Sequence, residues 1–141
     1  MTIAQKSLQA TRVIYVALLF AAIAYLAIPL LVAPTHSREP SLVFVLALGV
    51  VALSTLGVAA FYRSRMVQPA NEALSRNPDD DSAAARWRQG VIVSLVCCDS
   101  IVLFGLALRF VGVAWSKCSI FYAVGIFFML AWRPRLELPP T

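Results

Sequence analysis

Gly90-Val-Ile-Val-Ser-Leu-Val-Cys-Cys-Asp-Ser-Ile-Val-Leu-Phe-Gly-Leu-Ala-Leu108 is apolar over a length that crosses a lipid bilayer, and its one charged residue, Asp99, stands near its middle. A carboxylate in hydrocarbon costs several kcal/mol unless it is neutral, paired or wetted, so an intramembrane acid marks a functional position by default.

The rest of the chain repeats this pattern. Of 141 residues 60% are hydrophobic and 13% charged, and the mean hydropathy is +0.79. A soluble domain of this length exposes more charge. The apolar residues fall into four blocks, Thr11–Ala33, Ser41–Tyr62, Gly90–Val113 and Ser116–Trp132. Each approaches the length needed to cross a hydrocarbon core of roughly 30 Å, the last being the shortest. The first block has Lys6 before it and Arg12 at its start, as a signal peptide would, but it is longer than the ~7–15 residues of such a segment. It reads as a membrane helix kinked or ended by Pro29 and Pro34. The expected fold is an all-α, integral membrane, antiparallel four-helix bundle. A loop over 63–89 joins blocks two and three, and a short tail over 133–141 follows block four.

The net charge of +5 invites a nucleic-acid partner, but its distribution argues against one. Lys6 precedes block one and Arg12 stands at its start. Arg63, Arg65, Arg76, Arg86 and Arg88 lie between blocks two and three, and Arg133 and Arg135 follow block four. The other side keeps Arg38, Arg109 and Lys117. This is the positive-inside pattern, which places both termini and the 63–89 segment in the cytoplasm. It gives a multi-pass protein of the plasma or an inner membrane. The expected partners are the bilayer and other membrane subunits or further copies of the chain. Tyr62, Trp87, Trp115 and Trp132 stand at block ends, where amphipathic rings suit the headgroup level.

Little else in the chain carries chemistry. Cys97 and Cys98 are adjacent, His36 is alone in a short loop beside Glu39, and no spacing fits zinc. No phosphate loop, triad or carboxylate pair suggests an enzyme or a cofactor. Ser94, Cys98, Gly105 and Gly112 on block three, with Gly49, Ser54 and Gly57 on block two, supply small residues for helix approach. Asn77-Pro78 signals a turn, and Asp79-Asp80-Asp81-Ser82 suits a helix start near Ser82.

At about 1.5 Å rise per residue, Asp99 lies roughly 14 Å in from Gly90, near the midplane. Arg109 is about 15 Å further along the same helix and cannot pair with it. The candidate partners are hydroxyls: Ser54 and Thr55 at similar depth on block two, and the adjacent Ser100. Without a cation, the neutral acid is favoured. Such an acid either carries a proton or Na⁺ with help from Ser54, Thr55 and Ser100, or it bonds helices together.

Asp99-Ser-Ile-Val-Leu-Phe-Gly105-Leu106 resembles the ion-binding helix of the rotor-ring c subunit (proteolipid) of F-type and V-type ATP synthases. There a carboxylate, a short apolar run and aromatic-Gly-Leu follow in order. Arg76-Asn77-Pro78-Asp79 is similar to that family's cytoplasmic loop, Arg-Gln/Asn-Pro-Glu/Asp. The resemblance covers about residues 76–112. It implies that Asp99 carries the ion and that Arg76, Asn77 and Pro78 contact the rotor stalk. Block two has only Gly49 and Gly57 where the family's first helix is dense in glycine, and two further helices flank the hairpin.

Overall fold

A computed structural model describes residues 2–32 and 41–136. His36, Glu39, Pro34 and most of the tail lie outside the described residues. The helices are α1 (Ile3–Leu31), α2 (Leu42–Tyr62), a π-helical turn (Arg63–Val67), α3 (Gln68–Arg76), α4 (Asp81–Phe110) and α5 (Trp115–Ala131). Three stretches are long and apolar enough to cross a membrane: α1, α2 with its continuation to Arg76, and α4. At 17 residues, α5 reaches about 25 Å.

α1 starts well ahead of the apolar block because its first turn is fully capped. The Gln5 amide donates to Thr2 Oγ1 at 3.3 Å, and the Thr2 amide donates to Gln5 Oε1 at 3.0 Å. This reciprocal pair is a capping box. The two remaining free donors go to the turn before α4. The Ile3 amide reaches Asp79 Oδ1 at 3.2 Å and the Ala4 amide reaches Pro78 O at 3.1 Å. Asp80 caps α4 in its turn, accepting from the Ser82 and Ala83 amides at 2.9 and 3.0 Å. Adjacent aspartates thus serve the positive ends of two helices that begin side by side.

The segment 63–89, expected as a loop, is helical apart from the Asn77–Asp80 turn. Its helical signal is the spacing of Val67, Ala70 and Leu74, all buried against α4 in one cluster with Ala83, Ala84, Trp87 and Val91. Pro69 lacks an amide donor and crowds the carbonyl four residues back. The π turn just before it widens the ladder there, with the Gln68 amide donating to Arg63 O.

Pro29 neither ends nor breaks α1, which runs on to Leu31. A proline leaves the carbonyl four residues earlier without its helical donor, here Tyr25 O. The Tyr122 hydroxyl from α5 donates to that oxygen at 3.2 Å. A neighbouring helix supplies what water cannot supply in hydrocarbon.

α4 is the hub, packing against α1, α2, α3 and α5. Glycines let the backbones close. A Cβ on Gly125 would lie 2.5 Å from Val102 Cγ2 and 3.0 Å from Cys98 O, and one on Gly105 would lie 3.2 Å from Phe121 Cβ. Gly90 meets Val67 and Met66 in the same way. Gly112, with φ 96°, ends α4 in a Schellman turn, the Val113 amide donating to Leu108 O at 3.0 Å. On α2 the contact runs through Ala52 and Ala59. Gly49 and Gly57, expected as packing positions, have open space around them.

Large apolar side chains face outward along the helices, among them Val13, Val16, Phe20, Leu46, Val50, Leu53, Ile120 and Phe127. A soluble monomer does not tolerate such a surface, whereas lipid does. Trp87 departs from the expected headgroup position. It is 0% exposed, in the cluster that joins α4 to α1 and α3. Here α4 is still sheathed by polar-faced helices, so its ring fills a core instead.

Two outcomes are expected. Tyr122→Phe should cost about 1 kcal/mol in reversible unfolding from mixed micelles, and nearly nothing in a Pro29→Ala background, where the new residue brings back the missing amide donor. Equal costs in both backgrounds would rule the link out. The Ala83 amide, and then the Ser82 hydroxyl, hold the Asp80 carboxyl below its usual range. A lowered folded value means that this stabilisation is complete above the unfolded pKa of about 3.9 and fades as pH falls through the folded one. The thermal midpoint should therefore drop in acid, and drop less in Asp80→Asn, whose amide oxygen still accepts.

Candidate functional site

Asp99 lies about midway along the apolar part of α4, which runs from Gly90 to Phe110, some ~30 Å by helical rise. The four-residue spacing of a helix face sets it above Leu95, buried in the cluster with Tyr15 and Leu18 of α1. Just beyond it, Val102 is buried in the second cluster, with Ala22 of α1 and Gly125's neighbours on α5. Asp99 itself is 8% exposed. Its other same-face neighbours, Val96 and Leu103, are exposed. The carboxyl therefore sits on the seam between a packed interface and the strip of α4 that faces lipid.

Its Oδ1 is buried and has no hydrogen-bond partner among the described residues. The expected hydroxyl partners are committed elsewhere. Ser54 Oγ donates to Val50 O at 2.9 Å, Thr55 Oγ1 to Val51 O at 2.8 Å and Ser100 Oγ to Val96 O at 2.9 Å, each one turn back on its own helix. Depth does match for Ser54. The Ser94 hydroxyl lies 3.3 Å from Ala59 O and registers α2 against α4 as antiparallel neighbours. The same register carried along both helices brings Asp99 level with Ser54. Ser54 is exposed, however, while Asp99 is buried, so depth alone does not bring them together.

The loop residues are also located. Arg76 ends α3 and is exposed, as is Asn77. Asn77 Oδ1 accepts from the Asp79 amide at 3.3 Å, and Pro78 O is taken by the Ala4 amide. The turn is tied to the start of α1 within the chain. Cys97, Cys98 and Cys118 are free thiols. Among the described residues no group of three His, Cys, Asp or Glu side chains could hold a metal.

Two arginines mark the ends of the bilayer-length region. Arg63 stands over the Trp132 ring at 5.5 Å and donates to Trp132 O at 3.3 Å, at the end of α5. Arg109 stands over Trp115 at 5.8 Å and donates to Val113 O at 3.3 Å. Both guanidiniums complement the negative ends of helices, and neither donates a hydrogen bond to Asp99. Sequence reading misses the tie of Tyr122 to Tyr25 and the capping box. The first is legible only as an unexplained Pro29 inside an apolar run, the second as Thr2-x-x-Gln5.

Compared with known families, curated proteins and solved structures, the chain matches no family model, no curated protein and no solved structure. The class that fold and surface define is a helical membrane protein with a buried acid at mid-depth.

Asp99→Leu should leave stability unchanged or raise it by about 1 kcal/mol, because a buried acceptor without a partner is being removed. A loss on the ~1–3 kcal/mol scale of a broken buried bond would show that the carboxyl joins helices instead. Unfolding in mixed micelles with and without the substitution decides it.

Proposed function

We propose that the chain is an antiparallel four-helix membrane protein with both termini in the cytoplasm, and that Asp99 binds and releases a proton or Na⁺ within the bilayer. One observation carries this reading: a carboxyl near mid-depth has a buried, unpartnered oxygen on the seam facing lipid. A carboxyl that only tied helices together would have its hydrogen bond. One without a bond keeps its capacity for an incoming proton or cation, and natural proteins retain such groups for transport. The orientation rests on the arginine distribution. The resemblance of 76–112 to the rotor-ring c subunit supports the same role for Asp99, with Arg76, Asn77 and Pro78 as the cytoplasmic contact and Ser54, Thr55 and Ser100 as hydroxyls that could turn to the ion.

A second reading is a non-catalytic subunit of a membrane complex. It is favoured by the outward face of α2, which buries only Ala52 and Ala59 and leaves Gly49 and Gly57 bare. Between α2 and α5 an apolar groove of about 400 Å³ runs over Ile101. Other subunits or further copies would cover this face, and the chain would serve assembly.

A hydrophobic carbodiimide separates the two. Under the first reading it modifies Asp99 from the lipid phase, and labelling declines as pH rises or as Na⁺ is added. Asp99→Asn abolishes both labelling and ion movement in vesicles. Absence of labelling, with full function in Asp99→Asn, would leave only the second reading. Copy number by native mass spectrometry adds to this: a ring of many chains supports the rotor likeness, a heteromer the assembly role.

A further inference from the structure

The chain after α5 packs against α1. Arg133, Pro134, Arg135 and Leu136 are not helical, and their burial alternates: Pro134 is buried and Leu136 packs on the cluster around Trp87 with Ile3, Leu8 and Tyr15, while Arg133 and Arg135 are exposed. Alternation of this kind puts both guanidiniums on one side. They meet Arg12 of α1 across a cleft of about 580 Å³ lined by Arg12, Tyr15, Val16, Arg133, Pro134 and Arg135. Among the described residues no acidic side chain lines the cleft.

Three cations from two segments line one cleft, and the packing of Pro134 and Leu136 holds the second segment beside the first. We propose that this cleft binds the phosphate headgroup of an anionic phospholipid from the leaflet at the inner end of the bundle. Guanidiniums suit phosphate oxygens through paired N–H donors, and the Tyr15 hydroxyl adds another. The depth fits. Arg12 is as far into α1 as Gly90 is into α4, and the two helices begin together, so both lie about 14 Å from that start. Gly90 is where the apolar run of α4 begins.

What selects a lipid over a free phosphate is the surface leading away from the cleft. Val16 lines it, and Val13, Phe20 and Ile23 are exposed at helical spacing on the same stripe of α1. Acyl chains attached to a bound headgroup would lie along this stripe. Basic clefts between membrane helices hold anionic headgroups by this chemistry. The site is independent of Asp99.

The test uses the full chain in detergent, stripped of lipid and titrated with phosphatidylglycerol or phosphatidylcholine of matched acyl chains, followed by native mass spectrometry. The expected result is one phosphatidylglycerol bound at least about tenfold more tightly than phosphatidylcholine. The preference should vanish in Arg12→Gln/Arg133→Gln/Arg135→Gln. It should persist in Arg65→Gln/Arg86→Gln/Arg88→Gln, which loses the same charge elsewhere. Arg135→Gln alone, at an exposed position that folding does not need, should weaken it several-fold and guards against a misfolded triple variant. Equal binding of both lipids, or equal loss in the two triple variants, overturns the proposal. Displacement of the lipid by inorganic phosphate at matched concentration also overturns it, since the acyl stripe would then contribute nothing.

Discussion

A polar backbone group inside hydrocarbon has no water to bond, and most of the local structure answers to that constraint. The Tyr122 hydroxyl serves the carbonyl that Pro29 leaves open. Ser54, Thr55, Ser94 and Ser100 give their hydroxyl protons to carbonyls one turn back. The Schellman turn at Gly112 closes α4, and the guanidiniums of Arg63 and Arg109 serve carbonyls at helix ends. Against this background Asp99 stands out. Three other buried polar atoms lack partners among the described residues, on Asn71, Trp87 and Arg109, but they lie where α3 packs on the start of α4 or in the last turn of α4. Of these atoms only the carboxyl oxygen is unserved near the bilayer midplane.

The same economy shapes the packing. With lipid as apolar as leucine, helices gain from close fit and not from hiding from solvent. α4 draws its neighbours in at Gly90, Gly105 and Gly125, and its surface is therefore buried on several sides while α2 presents nearly all of its surface outward. A central helix with an acid on its one open seam differs from a hairpin whose acid faces out from a ring. The local motif around Asp99 can be alike in both while the surroundings are not.

Much of the architecture is legible in residue types. The apolar blocks and the start of α4 in the Asp79-Asp80-Asp81-Ser82 run follow from hydropathy and from the helix dipole. What escapes reading is long-range. The 63–76 helix reads as loop because its charged residues hide the spacing of Val67, Ala70 and Leu74. Trp87 reads as a headgroup residue because nothing local tells that α1 and α3 close over it. The hydroxyls match Asp99 by depth alone, but depth leaves rotation about the helix axis undetermined, and rotation turns Ser54 away.

The bonds from Ile3 and Ala4 to Asp79 and Pro78 join the beginning of the chain to its middle. During synthesis the first turn of α1 waits for a segment 76 positions later before its donors are satisfied. Two segments that share hydrogen bonds of this kind must also emerge on one face of the membrane. An even number of crossings between them is thereby required, whichever compartment that face looks into, and a chain threaded with the wrong parity leaves the Ile3 and Ala4 amides without their acceptors.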